Sequence, residues 1–199
     1  MGRKQKAFVD KERQISNKYY EYLDSEDQNN SKKTIKIMKE FIKNDPQFFD
    51  PYTILAEELQ KNGKINEAVN ILNKGFHKAV DLITDEWGKW PDELHWDYLE
   101  NRHIIRVILN KALSYWIQEQ RTLALDLLRK LLHSNHNDNI GARTYMLAIL
   151  LGWSFDQYES EFMTLGGFGY DGKKMNEFEN RLKEFPEEFG WWLKDIEES

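Results

Sequence analysis

"FDPYTILAEELQKNGKINEAVNILNKGF", residues 49–76, carries two helical patterns joined by a turn. Tyr52, Leu55, Ala56 and Leu59 recur at the spacing that lines one helix face. Asn62-Gly63 interrupts, and Ile65, Ala68, Leu72 and Gly75 or Phe76 resume the period. The stretch predicts a helical hairpin. Asp50 is a good N-cap, and Pro51 then falls at the first helical position, where a missing N–H costs nothing.

Around this hairpin the composition supports a folded, all-helical chain. Seven Trp, nine Tyr and eleven Phe among 199 residues supply apolar area for a core. The length suits one domain or a short helical array. Absence of cysteine removes disulfide scaffolds, thiolate metal sites and cysteine nucleophiles, and fits a reducing, cytoplasmic setting. No signal-peptide core stands near the start, and the longest apolar run, "MLAILLGW" (146–153), falls far below the roughly 20 residues that cross a bilayer. The net charge of −6 is uneven. Arg3, Lys4, Lys6, Lys11, Arg13 and Lys18 make the N-terminus basic, whereas the body is mildly acidic, which argues against general polyanion binding.

The hairpin at 49–82 fills the positions of a tetratricopeptide repeat: Tyr52, Leu55-Ala56, the Gly63 turn and Ala68. The chain resembles that family, whose period is about 34 residues. Shifting by one period toward the N-terminus places Pro46 where the repeat's terminal Pro belongs and "TIKIMKEFI" (34–42) as a second helix. Residues 15–48 then form an earlier repeat, with Tyr19, Tyr20, Tyr22 and Leu23 in its first helix and "DSEDQNNS" as a longer turn. The register returns at 105–138, with Glu119 where Gly is usual and His136 where Pro is usual, and another first helix follows at about 140–151. The expected organisation is a basic N-terminal segment (1–14), two helical hairpins (15–82), an aromatic insert (83–103), a hairpin plus a following helix (104–152), and a glycine- and aromatic-rich loop with capping helices (153–199). In this last part Met175, Phe178, Leu182 and Phe185 form one amphipathic stripe, and Phe189, Trp192, Leu193 and Ile196 another, broken at Pro186 and Gly190. The resemblance implies a right-handed superhelix of antiparallel helical hairpins. No period-two alternation of useful length is present, so no sheet is predicted.

"HSNHNDNIGAR" (133–143) sets seven polar side chains in a row and runs directly into "TYMLAILLGW". First helices of successive repeats lie side by side, which would bring "ENR" (100–102) next to "NDN" (137–139). Asp138 or Asn139 would then cap a helix, Arg102 or Arg106 would meet Asp138, and Arg143 would reach back to the same carboxylate. The motifs formed by Trp96, Tyr98, Glu100, Asn101, Arg102, Asn137, Asp138, Asn139, Gly141 and Arg143 also resemble a bacterial tetratricopeptide subgroup similar to the suppressor-of-tumorigenicity-7 family. That likeness implies no catalytic activity. A polar bracket between repeats is therefore the first reading and a ligand-contacting cluster the second. His133, His136 and Asp138 are too loosely spaced for a metal site, and no cofactor is called for.

In the groove-facing register Thr53, Glu57, Gln60 and Lys61 stand on one first helix, and Arg106, Leu109, Leu113 and Trp116 on another. Trp87, Trp90, Trp96, Tyr98 and Tyr115 either join that groove as anchors or pack the insert as core. "GGFGYDGKK" (166–174) lacks the preceding strand and the Gly-Lys-Ser/Thr ending of a phosphate loop. The sequence thus points to a non-catalytic adaptor that binds a peptide or helix in its concave face, with Arg106, Trp116 and Arg143 contributing. An RNA-associated repeat using the basic N-terminus, and a small-molecule enzyme using Glu100, Arg102, Asp138 and Arg143, are the alternatives. A homodimer would follow if Trp191, Trp192 or the insert left an apolar face open.

Overall fold

The computed structural model describes residues 13–162 and 171–198. These residues are all-helical, with no extended strand: α1 (Gln14–Leu23), α2 (Ser31–Asn44), α3 (Asp50–Lys61), α4 (Ile65–Ile83), α5 (Leu99–Ile117), α6 (Arg121–Ser134), α7 (Ala142–Leu150), α8 (Phe155–Phe162), α9 (Gly172–Glu179) and α10 (Pro186–Glu197). Short 3-10 turns occupy Glu26–Asn29 and Asn180–Glu184. No described helix is long and apolar enough to cross a membrane. The chain divides into two compact units, Met1–Lys111 and Ala112–Ser199, with the boundary inside α5.

In the first unit α2 packs on α3, and α3 on α4. Asn30 starts α2 by accepting the Lys33 N–H at 3.1 Å. The core gathers Tyr19, Met38, Phe48, Phe49, Tyr52 and Leu55, with Tyr19 edge-on to Phe41 and Phe48. Gly75 is needed at the α3–α4 crossing. A Cβ there would lie 2.9 Å from both Cβ and Cγ of Tyr52, so the tyrosine ring rests directly on the α4 backbone. The start of α3 differs from the sequence expectation. Phe49 is the N-cap residue, and Asp50 and Pro51 both lie inside the first turn, which frees the Asp50 carboxylate for another partner. The irregular insert is also shorter than expected, because α4 persists to Ile83 and α5 already begins at Leu99.

In the second unit α6 packs on α7. Trp116, Leu128, Leu131, Met146, Tyr158 and Phe162 are buried, and Phe178 and Phe189 bring α9 and α10 into the same core. Gly190 lies inside α10 and does not break it; the break comes before Pro186, which occupies the first helical turn. Most of the expected glycine-rich loop (163–170), and the basic segment up to residue 12, lie outside the described residues.

The same turn ends α3, α5 and α7. Asn62, Gly63 and Lys64 donate to Glu58, Gln60 and Leu59. Gln118, Glu119 and Gln120 donate to Ser114, Trp116 and Tyr115, and Leu151, Gly152 and Trp153 to Leu147, Ile149 and Ala148. The central residues have φ of 74°, 59° and 82°, the left-handed conformation of a Schellman motif. Glu119 therefore adopts the conformation that Gly63 and Gly152 hold in the other two turns, without glycine's freedom from Cβ repulsion.

Candidate functional site

Arg106 is the centre of the first unit's polar arrangement. Its Nε donates to Asp50 Oδ1 at 2.8 Å and its Nη2 to Asp50 Oδ2, a bidentate pair. Tyr20 completes the set: its hydroxyl donates to Asp50 Oδ2 at 3.4 Å and accepts from Arg106 Nη2 at 3.4 Å. Tyr20 lies on α1, Asp50 on α3 and Arg106 on α5, so one contact set ties three first helices of the expected hairpins together. The Arg106 guanidinium also lies 5.7 Å from the ring centre of Trp96 in the insert. Asp50 is buried, whereas Arg106 keeps a third of its side-chain surface and Tyr20 is 47% exposed. Glu57 and Gln60, further along the same stripe of α3, are exposed; Thr53 is buried instead of facing a hollow.

"ENR" is satisfied inside the first unit. Glu100 accepts from Arg13 Nε and Nη2 at 2.7 Å each, and Arg13 also reaches Asp45. Arg13 is thus paired inside the first unit. Burial pushes the Glu100 carboxyl up, but His103 and the Arg13 guanidinium outweigh it and hold it at about 2. His103 sits against Phe48 and Phe49, with Nδ1 accepting from the Phe49 N–H at 3.4 Å. Its Nε2 faces Glu100 at 3.6 Å, beyond a direct hydrogen bond. Asn101 Nδ2 donates to the His95 carbonyl at 2.7 Å, and Arg102 Nε to the Trp96 carbonyl at 2.9 Å. These two bonds pin the end of the insert to the start of α5. The insert's fully buried side chain is Leu94; Trp90 and Trp96 are half-buried, and Trp87 is exposed.

"NDN" is satisfied inside the second unit. Asp138 accepts the N–H groups of Ala142 at 2.7 Å and Arg143 at 3.0 Å, and pairs with Arg143 Nη1 at 2.8 Å. Its φ of 45° places it in the left-handed region, where Asp is tolerated better than most residues. Burial pushes the Asp138 carboxyl up against the opposing pull of Arg143 and the helix N–H groups. Asn139 is exposed. Arg143 Nη2 continues to both oxygens of Glu179, at 2.9 and 3.1 Å, and the guanidinium lies 5.0 Å from the ring centre of Trp192. Trp192 Nε1 donates to the His136 carbonyl at 2.8 Å, His133 stacks on Trp191 at 4.2 Å, and Arg129 pairs with Glu188. Together these contacts fasten α9 and α10 to α6 and α7. Trp192 is buried and Trp191 half-buried, whereas Trp87 of the insert is exposed. No cluster with metal-holding composition occurs among the described residues.

No protein-family model, curated protein or solved structure matches this chain. The site is therefore read from its own geometry, which redistributes the groove residues anticipated from sequence. Trp116 is fully buried, its Nε1 donating to the Trp153 carbonyl at 3.1 Å and its ring packed on Tyr145, Phe155 and Tyr158. It is a core residue of the second unit and not a groove anchor. Arg143 is committed to Asp138 and Glu179, and Leu109 and Leu113 are half-buried. Tyr20 was not anticipated as a site residue. The signal was present in Tyr19-Tyr20, since consecutive helix positions cannot both face one core.

Proposed function

We propose that the chain is a non-catalytic, tetratricopeptide-like scaffold that binds a segment of another protein, and that the binding face lies in the first unit around Tyr20, Glu57, Gln60 and Arg106. The carrying observation is the Tyr20–Asp50–Arg106 contact, which links α1, α3 and α5 while leaving Tyr20 and part of Arg106 open to solvent. Glu57 and Gln60 extend that face with an acceptor and an amide. The repeated turn at Gly63, Glu119 and Gly152 supports a hairpin-repeat reading. Engagement of Glu100 with Arg13 and of Asp138 with Arg143 supports structural roles for the acidic groups of both motifs.

The test is selection of a displayed random-peptide library on the full chain, followed by calorimetry with the selected peptides. A Glu57→Lys/Gln60→Ala variant should lose about tenfold or more in affinity if these residues form the contact centre. Lys74→Glu, at an exposed position on α4, should leave affinity within about twofold. Equal binding by the wild type and the Glu57/Gln60 variant, or failure to select any peptide, overturns the assignment.

A further inference from the structure

Trp87 is the most exposed large apolar side chain described, at 82% of its surface, while the other six tryptophans are buried or half-buried. It stands on a tightly organised turn. Asp85 Oδ1 accepts the N–H groups of Trp87 at 3.0 Å and Lys89 at 2.8 Å. The Asp85 N–H donates to the Lys89 carbonyl and the Gly88 N–H to the Asp85 carbonyl, each at 3.0 Å. Gly88 has φ of 74°, so the residue following Trp87 takes the conformation that closes the turn. Four hydrogen bonds within five residues fix the backbone beneath a side chain that has almost no intramolecular contact of its own.

Scattered exposed apolar residues are ordinary. A tryptophan projecting from a pre-ordered turn differs, because little backbone entropy remains to be lost when its ring is covered, and tryptophan is the side chain most enriched at binding centres. Its surroundings define the complement. Asp85 and Glu86 stand in the same turn and are exposed, and Lys89 is paired with Asp92 at 3.3 Å, so the turn that carries the ring has net negative charge. That charge disfavours an anionic membrane surface and favours a protein cavity edged by arginine or lysine.

We propose that the Asp85–Lys89 turn is a second interaction element, in which Trp87 inserts into an apolar pocket of a partner protein whose rim is basic. The site is separate from the face around Glu57 and Gln60 and does not depend on it.

A photo-crosslinking amino acid at position 89 of the full chain, expressed in its native cells, identifies the protein that meets the turn, and that protein is then purified for pairwise binding. Trp87→Ala should weaken binding by about 30-fold or more, as expected of a buried anchor, with unchanged circular dichroism. Glu86→Lys should weaken it as well, and affinity should fall as salt is raised. Asp85→Ala should cost several-fold through loss of turn order alone, and the Glu57→Lys/Gln60→Ala variant should bind normally. The proposal is overturned if no cross-linked protein depends on Trp87 or if Trp87→Ala costs less than about threefold. It is equally overturned if the cross-linked species is only a second copy of the chain, or if Trp87 instead mediates binding to phosphatidylcholine–phosphatidylserine vesicles.

Discussion

Asp138 offers a quantitative test of whether the polar stretch at 133–143 is a structural cap. In Asp138→Ala, Ala142 and Arg143 each lose a backbone hydrogen bond, Arg143 loses one of its two carboxylate partners, and alanine must adopt φ near 45°. An N-cap is worth about 1 kcal/mol, the left-handed conformation costs alanine about 1 more, and an unsatisfied buried donor adds about 1–3. Because these contributions overlap and Arg143 keeps Glu179, the expected loss is about 3 kcal/mol. Asp138→Asn retains one side-chain acceptor and tolerates the backbone conformation, so it should lose about 1 kcal/mol. Urea unfolding followed by tryptophan fluorescence reads both. With a slope near 2 kcal/mol/M, the alanine variant's midpoint for the second unit should fall by about 1.5 M. Equal losses in the two variants, or a loss below about 0.5 kcal/mol in Asp138→Ala, would refute the cap.

Gly75→Ala gains up to about 1 kcal/mol of helix propensity but drives a Cβ into the stem of Tyr52, which cannot rotate away; overpacking wins, with a net loss of about 2 kcal/mol in thermal or urea unfolding. Glu119→Gly should be neutral to stabilising by about 0.5 kcal/mol, because relief of the left-handed conformation outweighs the added freedom of the unfolded chain and the exposed Arg121 contact contributes little. Gly63→Ala, at the equivalent turn, should lose about 1 kcal/mol in the same unfolding assay. Glu100 makes the first unit acid-sensitive. Its folded carboxyl lies at about 2, below its ordinary 4.5, so its stabilisation of about 3 kcal/mol is complete above pH 4.5 and is lost as pH falls through about 2. Glu100→Gln should flatten stability against pH across that window while lowering stability at neutral pH.

Helical periodicity made the helix sequence legible because α2, α4 and α6 each bury one stripe at regular spacing. Asp138 was legible as an acceptor for the first N–H groups of α7, although the N-cap residue is Gly141 and Asp138 reaches Ala142 and Arg143 from three residues before it. Residues whose role depends on distant partners were not. Arg13 read as one charge of a basic N-terminus, yet its partners lie 32 and 87 residues away. Asp50 has the residue type and position of an N-cap, but a half-exposed arginine on another helix, Arg106, takes its carboxylate. Trp116 falls on the groove-facing register, but α7 and α8 pack over it with Tyr145, Phe155 and Tyr158. Leu94 was overlooked because an isolated leucine among tryptophans carries no periodic signal.

The most direct test of the binding assignment is amide chemical-shift mapping of the isotopically labelled full chain with a peptide selected on it. The account predicts shifts centred on Tyr20, Glu57, Gln60 and Arg106, with the Asp85–Lys89 turn and α10 unaffected. Shifts confined to α6–α10, or absent from the α3 stripe at saturating peptide, would contradict it.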